Sequence, residues 1–284
     1  MLRLVLNHIQ LLISVVYLGL AGLILLVKLI KPLNDLLLYG KTYTSTTTSG
    51  NDNQSRIHKL IHILTSHLKV PKSFFTHFYI LLSISSSISL FVIQYPLGSN
   101  PHPTKYKNLF IINTLLWLQG VRRLFECLFM SKFSKTSYIN ISHYIAGMLH
   151  YILISLTCYL GKKSYSDSPI GNITVVDGLL IISYIILAKG QFNNHYHLSH
   201  LVKYSLPNFQ YVASPHYLQE ILIYTVLFIF SVKHGWDSIS RNFLCALVFV
   251  TINLSISSIE TYRYYQVKFK DEFKLEWCII PGVL

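Results

Sequence analysis

Long apolar stretches alternate with short polar ones along the whole chain, and this alternation predicts membrane-spanning helices. Seven segments are apolar enough: about 9–30, 74–95, 109–130, 139–160, 173–190, 215–232 and 242–259. A helix needs roughly 20 mainly apolar residues to cross the hydrocarbon core of a bilayer. A membrane β-barrel would instead show alternating polarity in segments of about ten residues, a pattern that this sequence does not have. We therefore predict an all-α, polytopic bundle of about seven transmembrane helices.

Composition supports a membrane location. Of the 284 residues, 52% are hydrophobic and 12% are charged, and the mean hydropathy is +0.45. Soluble domains carry roughly 25% charged residues. The only low-complexity piece is "TYTSTTTSGNDNQS", residues 42–55, which we predict to be a disordered part of the first loop.

The net charge of +13 comes from lysines and arginines scattered through the loops between the predicted helices. This scatter favours contact with anionic lipid headgroups or a phosphate-bearing ligand over nucleic acid. The first, third and fifth loops and the C-terminal tail hold 14 lysines and arginines, with Lys189 at the end of the fifth span counted among them, and the opposite side holds 7. The positive-inside rule therefore predicts a lumenal N-terminus and a cytosolic C-terminus.

Neither the cysteines nor the histidines predict a metal site. The four cysteines show no CxxC spacing, so we expect free thiols and no zinc site or disulfide framework. The three histidines of "NNHYHLSH" come with no HxxHH box anywhere in the chain. Membrane di-iron oxygenases need several such boxes, and we expect no metal here.

Polar and ionisable residues gather at the predicted cytosolic ends of several helices, although such groups are costly in a membrane. His77 and Tyr79 open the second span, and His216 and Glu220 open the sixth. The others lie late in the third span or just after the fifth and seventh: Arg122, Arg123, Glu126, Asn193, His195, His197, His200, Glu260, Arg263 and Tyr265. Groups brought to one level in this way predict a functional site.

The stretch "YVASPHYLQEILIY" predicts a precise helix start. Ser214 suits the N-cap and Pro215 the first helical position. His216 and Glu220 are then one turn apart on the same face. They either donate to and accept from a bound polar ligand, or form an internal pair that fixes helix packing.

The stretch "LWLQGVRRLFECLF" places two arginines late in the third span. Arg122 and Glu126 are spaced for an i, i+4 pair, and we expect Arg123 to point about 100° away from them. One interpretation is an intramembrane salt bridge beside a snorkelling arginine. The alternative is that one arginine meets a phosphate or carbonyl oxygen.

Four stretches together resemble the steroid 5α-reductase family, most closely its polyprenol (polyprenal) reductase branch. They are "VPKSFFTHFYIL", "WLQGVRRLFECLFMSKFS", "YVASPHYLQEILIY" and the ending "YRYYQVKFKDEFKLEWCIIPGVL". The similarity runs from about Val70 to Leu284. It implies residues 1–69 as an N-terminal helix and loop, and 70–284 as the catalytic domain, with its cofactor-binding part at about 173–284.

The resemblance also implies a function. Such a protein is a seven-helix reductase of the endoplasmic reticulum membrane that uses NADPH from the cytosol. It reduces the α-isoprene double bond of a polyprenyl lipid, toward dolichol for protein N-glycosylation. By position, the implied cofactor-binding residues are Arg123, Asn193, His195, His216, Glu220 and Tyr265.

The chain departs from the family pattern in three places. "KYSLPNFQYV" lacks the usual arginine before "YV", "ETYRYY" replaces a histidine-rich run, and "KLEW" replaces a basic cluster. These changes bear on how the cofactor phosphate is recognised, and so on NADPH against NADH. The glutamate with which steroid-reducing relatives hold a ketone has no counterpart near "VPKSFFTHFYIL".

Chemistry favours an aldehyde as the direct substrate. A hydride adds readily only to a double bond that is polarised by conjugation, which an α,β-unsaturated aldehyde provides and an allylic alcohol does not. A donor must stabilise the developing enolate oxygen. We predict that His77 and Tyr79 are the catalytic residues that contact this oxygen, with a structural role for His77 as the alternative.

Two other functions compete with polyprenal reduction. One is a steroid 3-oxo-4-ene or enoyl-thioester reductase on the same scaffold. The other is a non-enzymatic membrane protein, a transporter or scaffold. A transport path should carry polar groups through both leaflets, whereas here they stop in the predicted cytosolic half.

Overall fold

The computed structural model describes residues 2–30, 68–94, 103–134, 137–165, 172–202 and 205–284. Seven long helices form the protein in this part of the chain: α1 (Leu2–Leu29), α2 (Phe75–Gln94), α3 (Pro103–Phe125), α4 (Ile141–Tyr165), α5 (Val175–His200), α6 (Pro215–Val232) and α7 (Ser238–Phe269). The segment 42–55, predicted to be disordered, lies outside the described residues.

The helices confirm an all-α, multi-pass membrane protein. Six of them are long and apolar enough to cross a bilayer. The seventh, α3, carries basic residues at both ends, Lys107 near its start and Arg122 and Arg123 in its last turn. Its middle is nonetheless buried among the other helices, so α3 crosses the bundle with them.

Side-chain bonds between helix ends show that helices consecutive in the chain run in opposite directions. Arg123, in the last turn of α3, contacts Tyr79 at the start of α2. Gln191, late in α5, contacts Glu220 at the start of α6. We call this the site end of the bundle, where α2, α4 and α6 begin, and the opposite end the far end. Which of them faces the cytosol stays a prediction.

Helices α5 and α7 are longer than the sequence predicted. Asn193 and His195 were expected to follow the fifth span, and Tyr265 the seventh, yet all three lie on the helices themselves. Hydropathy falls where polar side chains begin, but the backbone can continue as a helix into the interfacial region. Both helices therefore continue about three turns beyond the span ends predicted at 190 and 259.

A buried ion network closes the far end. The Asp177 carboxylate accepts bonds from Lys107 Nζ at 2.7 Å and Lys233 Nζ at 2.6 Å. Asp177 also caps α5, because its side chain accepts from the Thr174 backbone N–H while its own N–H donates to the Thr174 hydroxyl. One carboxylate thereby ties α3, α5 and the end of α6 together.

Helix α1 is an integral part of the bundle. A polar seam joins it to α7 near the far end, where Ser14 Oγ donates to Asn242 Oδ1 at 2.5 Å and Arg241 Nε donates to Ser14 Oγ at 3.0 Å. An ion pair between Lys28 and Glu260 joins the same two helices at the site end. Because α1 packs along α7, the helix that precedes the predicted catalytic domain shares its core.

The C-terminal tail packs against the start of α6. The backbone N–H groups of Ala213 and Ser214 donate to the carbonyl oxygens of Trp277 and Cys278, at 3.0 and 3.2 Å. Ser214 occupies the N-cap position and Pro215 is the first helical residue, which confirms the predicted helix start, although the Ser214 side chain makes no capping hydrogen bond. Near α2 and α4, two three-residue strands, β1 (Lys69–Pro71) and β2 (Tyr138–Asn140), pair antiparallel and add a small element to the helical fold.

Candidate active site

One cavity of about 1430 Å³ occupies the site end and continues toward the middle of the bundle. All seven helices contribute to its wall. One representative from each is Leu23, Phe78, Arg123, His150, Gln191, Glu220 and Tyr265. The wall is charged and polar near the site end and mainly aromatic and aliphatic farther in. Such a shape suits a ligand with a polar head and an apolar body.

Behind the charged part of the cavity wall lies Glu126, a carboxylate whose side chain is 1% exposed. Both Arg122 and Arg123 form ion pairs with it, and His195 Nδ1 lies 2.7 Å from its Oε2. We expected Arg123 to point away from Glu126, and this was wrong. Positions i+3 and i+4 both neighbour a helical residue, so one carboxylate can meet two successive arginines.

Glu126 begins a π-helical turn, Glu126–Met130, which ends α3. The Ser131 N–H donates to the Glu126 carbonyl oxygen at 2.8 Å, the five-residue spacing of that geometry. Cys127, in the same turn, lines the cavity. A π-turn changes the direction of the following side chains, and such turns are frequent at functional sites.

Arg123 connects this cluster to α2. Its Nη2 donates to the Tyr79 hydroxyl at 2.8 Å, and its guanidinium carbon lies 4.7 Å from the centre of the Tyr79 ring. His195 Nδ1 is 2.6 Å from Arg123 Nη1. Tyr79 and Glu126 thus hold the guanidinium in a part-buried position. The neighbouring His195 Nδ1 either accepts from Arg123 or donates to Glu126, because one ring nitrogen cannot do both. Held this way, the cation has a fixed direction at the cavity wall.

A second polar cluster surrounds Glu220. Its carboxylate accepts bonds from Gln191 Nε2 at 2.5 Å and Gln119 Nε2 at 2.8 Å. Arg122 donates to the side-chain oxygens of both glutamines, which links the two clusters. Two arginines and two carboxylates therefore share one network with their formal charges balanced, which lowers the cost of keeping them in a membrane helix bundle.

Aromatic residues line the cavity beyond the charged clusters. The Tyr151 ring centre lies 5.9 Å from that of Tyr79 and 4.9 Å from that of His150. His150 in turn contacts Tyr224, with 5.3 Å between ring centres and 2.6 Å from Nε2 to the hydroxyl. An unbroken row of rings thus runs from the arginine cluster to the middle of the bundle.

Six of the eight residues predicted for the site line this cavity: Tyr79, Arg123, His195, His216, Glu220 and Tyr265. The His216 ring is 5.3 Å from the His195 ring, and Tyr265, 4% exposed, packs against Tyr264 and Phe269. Their assigned roles stay predictions, but the structure places them together.

The other two predicted residues lie away from the cavity. His77 is exposed on α2, with Nδ1 3.1 Å from the Tyr144 hydroxyl and its ring against Phe74. Asn193 is exposed on α5, while its neighbour Asn194 donates to Gln219 Oε1 at 2.8 Å. Tyr79 is two residues from His77 and points inward, because positions two apart face different sides of a helix.

Sequence reasoning missed the two glutamines, Gln119 and Gln191, that hold Glu220. Both are buried, with 2% exposure each. A signal was present in the stretches "WLQG" and "KGQF", where an amide interrupts an apolar span. A polar side chain inside a transmembrane helix indicates either a packing partner or a ligand.

The histidines of α5 point to different partners. His195 meets Glu126 and Arg123, His197 Nε2 accepts from the Asn208 N–H at 3.3 Å, and His200 Nδ1 lies 2.9 Å from the Tyr196 carbonyl oxygen. Within the described residues, no group of three or more histidine, cysteine, aspartate or glutamate side chains is arranged to hold a metal ion.

The fold and the cavity define a multi-pass membrane protein with a charged, part-buried site at one end of its helices. The family model described as 3-oxo-5-alpha-steroid 4-dehydrogenase matches residues 165–284. A polyprenal reductase of Saccharomyces cerevisiae is 34% identical over 257 residues, which cover 89% of this chain and 87% of the relative. The polyprenal reductases of Ailuropoda melanoleuca and Homo sapiens are each 26% identical, over 87% and 75% of this chain.

The chain therefore belongs to the steroid 5α-reductase family, in its polyprenal reductase branch, as the sequence motifs indicated. The matched part of the family model begins at residue 165, so it covers α5, α6 and α7. Tyr79, Arg123 and Glu126 lie before it, yet the structure joins them to His195. The first four helices thus complete a site that the family model covers only in part.

Proposed function

We propose that this protein reduces the α-isoprene double bond of a polyprenal with NADPH, in the endoplasmic reticulum membrane, on the route to dolichol. The observation that carries the proposal is the two-part cavity in a chain 34% identical to a polyprenal reductase. The charged part can hold the polar cofactor and the aldehyde. The apolar part can hold the first isoprene units of the lipid.

The apolar wall extends to the surface of the bundle. Leu23 and Leu26 of α1 and Ile145 of α4 line the cavity and are also 56%, 50% and 57% exposed. On a transmembrane helix, exposed leucine and isoleucine face lipid. A prenyl tail of any length can therefore leave the cavity sideways into the bilayer, and the protein needs no tunnel to enclose it.

The residues present fit a phosphorylated dinucleotide. Arg123, Gln191 and Glu220 offer donors and acceptors for a carboxamide and a ribose, and all three line the cavity. Lys72 and Lys132 line it as well, beside serines of the loop between α3 and α4, and their ammonium groups suit phosphates. NADPH supplies the hydride when it is bound. Asn193, which lies outside the cavity wall, keeps its predicted cofactor role only as a proposal.

Tyr79 and Arg123 are placed to stabilise the enolate oxygen. The Tyr79 hydroxyl accepts a bond from Arg123, so its own proton is available to a substrate oxygen in the cavity. A positioned donor that meets charge as it develops commonly accelerates a reaction by about 10²- to 10³-fold. Of the two residues predicted to contact this oxygen, Tyr79 lines the cavity and His77 does not.

The experiment that tests the function measures cofactor oxidation by the purified protein in nanodiscs. Polyprenal and polyprenol are supplied separately, each with NADPH or NADH. Turnover with the combination of polyprenal and NADPH, and with none of the other three combinations, supports the full proposal. Turnover with polyprenol as the direct acceptor would contradict the conjugation argument but retain the reductase. Turnover with NADH at an equal rate would contradict the cofactor assignment.

A steroid 3-oxo-4-ene or an enoyl thioester is the alternative substrate class on this scaffold. The matched family model carries a steroid name, which is the observation in its favour. The same assay with a 3-oxo-4-ene steroid and an enoyl-CoA separates these classes. Oxidation with either one, and none with polyprenal, would replace the proposed substrate. No oxidation with any acceptor, by folded protein, would favour a non-enzymatic role.

A further inference from the structure

His150 and Tyr224 form a polar pair at mid-helix depth. His150 is 5% exposed and Tyr224 is 2% exposed, both line the cavity, and His150 Nε2 is 2.6 Å from the Tyr224 hydroxyl. Each lies near the middle of its helix, α4 or α6. Polar groups at such depth are costly and are candidates for function. The proposed reaction has so far used only residues nearer the site end.

The second ring nitrogen of His150 determines how this hydrogen bond is directed. His150 Nδ1 is buried and has no hydrogen-bond partner among the described residues. A buried N–H without an acceptor is rarer and more costly than a buried acceptor without a donor. The neutral ring therefore carries its proton on Nε2 and donates it to the Tyr224 oxygen. The proton of Tyr224 itself is then available to a third group.

Tyr224 is close to the site of the proposed reduction. It lies one helical turn beyond Glu220 on the same face of α6. Tyr151 lies between His150 and Tyr79, the residue proposed to contact the substrate oxygen, because its ring contacts the rings of both. A substrate whose oxygen meets Tyr79 would extend its carbon chain along this row of rings, toward Tyr224 and the apolar wall.

We infer that Tyr224 is the acid that protonates the α-carbon of the substrate, and that His150 is the residue that positions it. The inference rests on the proposed function. The β-carbon takes the hydride, the carbon–carbon double bond breaks, and its electrons move to the carbonyl oxygen as an enolate. The carbonyl re-forms as the α-carbon takes the Tyr224 proton. The His150 N–H stabilises the phenolate until water reprotonates it after the product leaves.

The test follows both the rate and the label in D₂O with polyprenal and NADPH. In the wild type, one deuterium enters the α-carbon in a single configuration. Tyr224→Phe should lower kcat by about 10²-fold or more, because a general acid commonly contributes that factor. The remaining turnover should place deuterium in both configurations, since water then supplies the proton from either side. The configuration at the β-carbon should stay unchanged.

Two further variants test the positioning residue. His150→Gln keeps an N–H donor near the position of Nε2, and its kcat should stay within about tenfold of the wild type. His150→Phe removes the donor and should lose activity as Tyr224→Phe does. Tyr184→Phe is the matched control, because Tyr184 is an equally buried tyrosine whose hydroxyl donates to the Leu115 carbonyl oxygen away from the cavity. It should keep the wild-type rate and label.

The outcomes separate the two proposals. No polyprenal turnover by the wild type would overturn the proposed function and this inference with it. An active wild type with Tyr224→Phe within twofold of its rate, or with a single label configuration, would overturn the inference alone. Should Tyr224→Phe fail to fold, equal activities of His150→Gln and His150→Phe would also overturn it.

Discussion

Gln191 of α5 fixes Glu220 of α6 from two directions. Its side-chain nitrogen donates to the Glu220 carboxylate at 2.5 Å and to the His216 carbonyl oxygen at 3.0 Å. The Gln191 amide thus holds in place both the Glu220 carboxylate and the start of α6, the helix that carries it. The side-chain N–H groups of Gln119 and Gln191 converge on the same carboxyl oxygen of Glu220, which makes it the common acceptor of this cluster.

Glu220→Gln should lower kcat/KM for NADPH by about 10- to 100-fold. The substitution replaces a carboxylate with an amide of similar size, and hydrogen bonds to a charged group contribute about 1.5–3 kcal/mol. Steady-state kinetics with polyprenal held saturating measures the change. The control is Glu272→Gln, since Glu272 is exposed near the end of the chain. Equal activities of both variants would contradict a role for the Glu220 charge.

Arg123→Lys should behave almost like Arg123→Met in turnover. A lysine keeps the charge but cannot contact Tyr79, Glu126 and His195 at once, because an ammonium lacks the planar fork of a guanidinium. We expect kcat to fall by about 10²-fold. The matched control is Arg263→Lys on α7, where the side chain is 59% exposed. Wild-type kcat in Arg123→Lys would show that only the charge matters.

Asp177→Asn should destabilise the protein without touching the cavity. Asp177 is fully buried between Lys107 and Lys233, so its loss leaves two ammonium groups without their counter-charge. Breaking such a pair costs about 3–5 kcal/mol. Thermal unfolding in detergent should show a lower midpoint for Asp177→Asn. Asp271→Asn, at an exposed position, should keep the wild-type midpoint.

Gly147→Ala should reshape the cavity through Phe78. A Cβ at position 147 would lie 2.7 Å from Phe78 Cζ, and both residues line the cavity. The ring must move, at a cost of about 1–3 kcal/mol. We expect a raised KM for polyprenal and a lowered unfolding midpoint. Gly178→Ala is the control, because a Cβ there would meet nothing within 4 Å. An unchanged KM in Gly147→Ala would show that the Phe78 side of the cavity does not contact the lipid.

Lys28 and Glu260 should couple in a double-mutant cycle of stability. The pair joins α1 to α7 with side chains 17% and 12% exposed. Lys28→Met and Glu260→Gln should each lower the unfolding midpoint. The decrease in the double variant should be smaller than the sum of the two single decreases. Strict additivity would mean that the ion pair contributes nothing to the packing of α1.

Local sequence predicted several features that need no knowledge of partners. The membrane spans follow from runs of apolar residues, and the start of α6 follows from Ser214 and Pro215. The gathering of polar residues at one end follows from their positions within antiparallel spans. Hydropathy and capping act within a few residues of the chain, so they can be deduced from it directly.

Only the tertiary structure decided which side chains meet. It showed that Tyr79 and not His77 faces the cavity, that Gln119 and Gln191 hold Glu220, and that His150 pairs with Tyr224. These contacts join residues up to about one hundred positions apart, and they depend on how each helix is rotated about its axis. Rotation is set by packing against all the neighbouring helices together, and no single segment of the sequence contains that information.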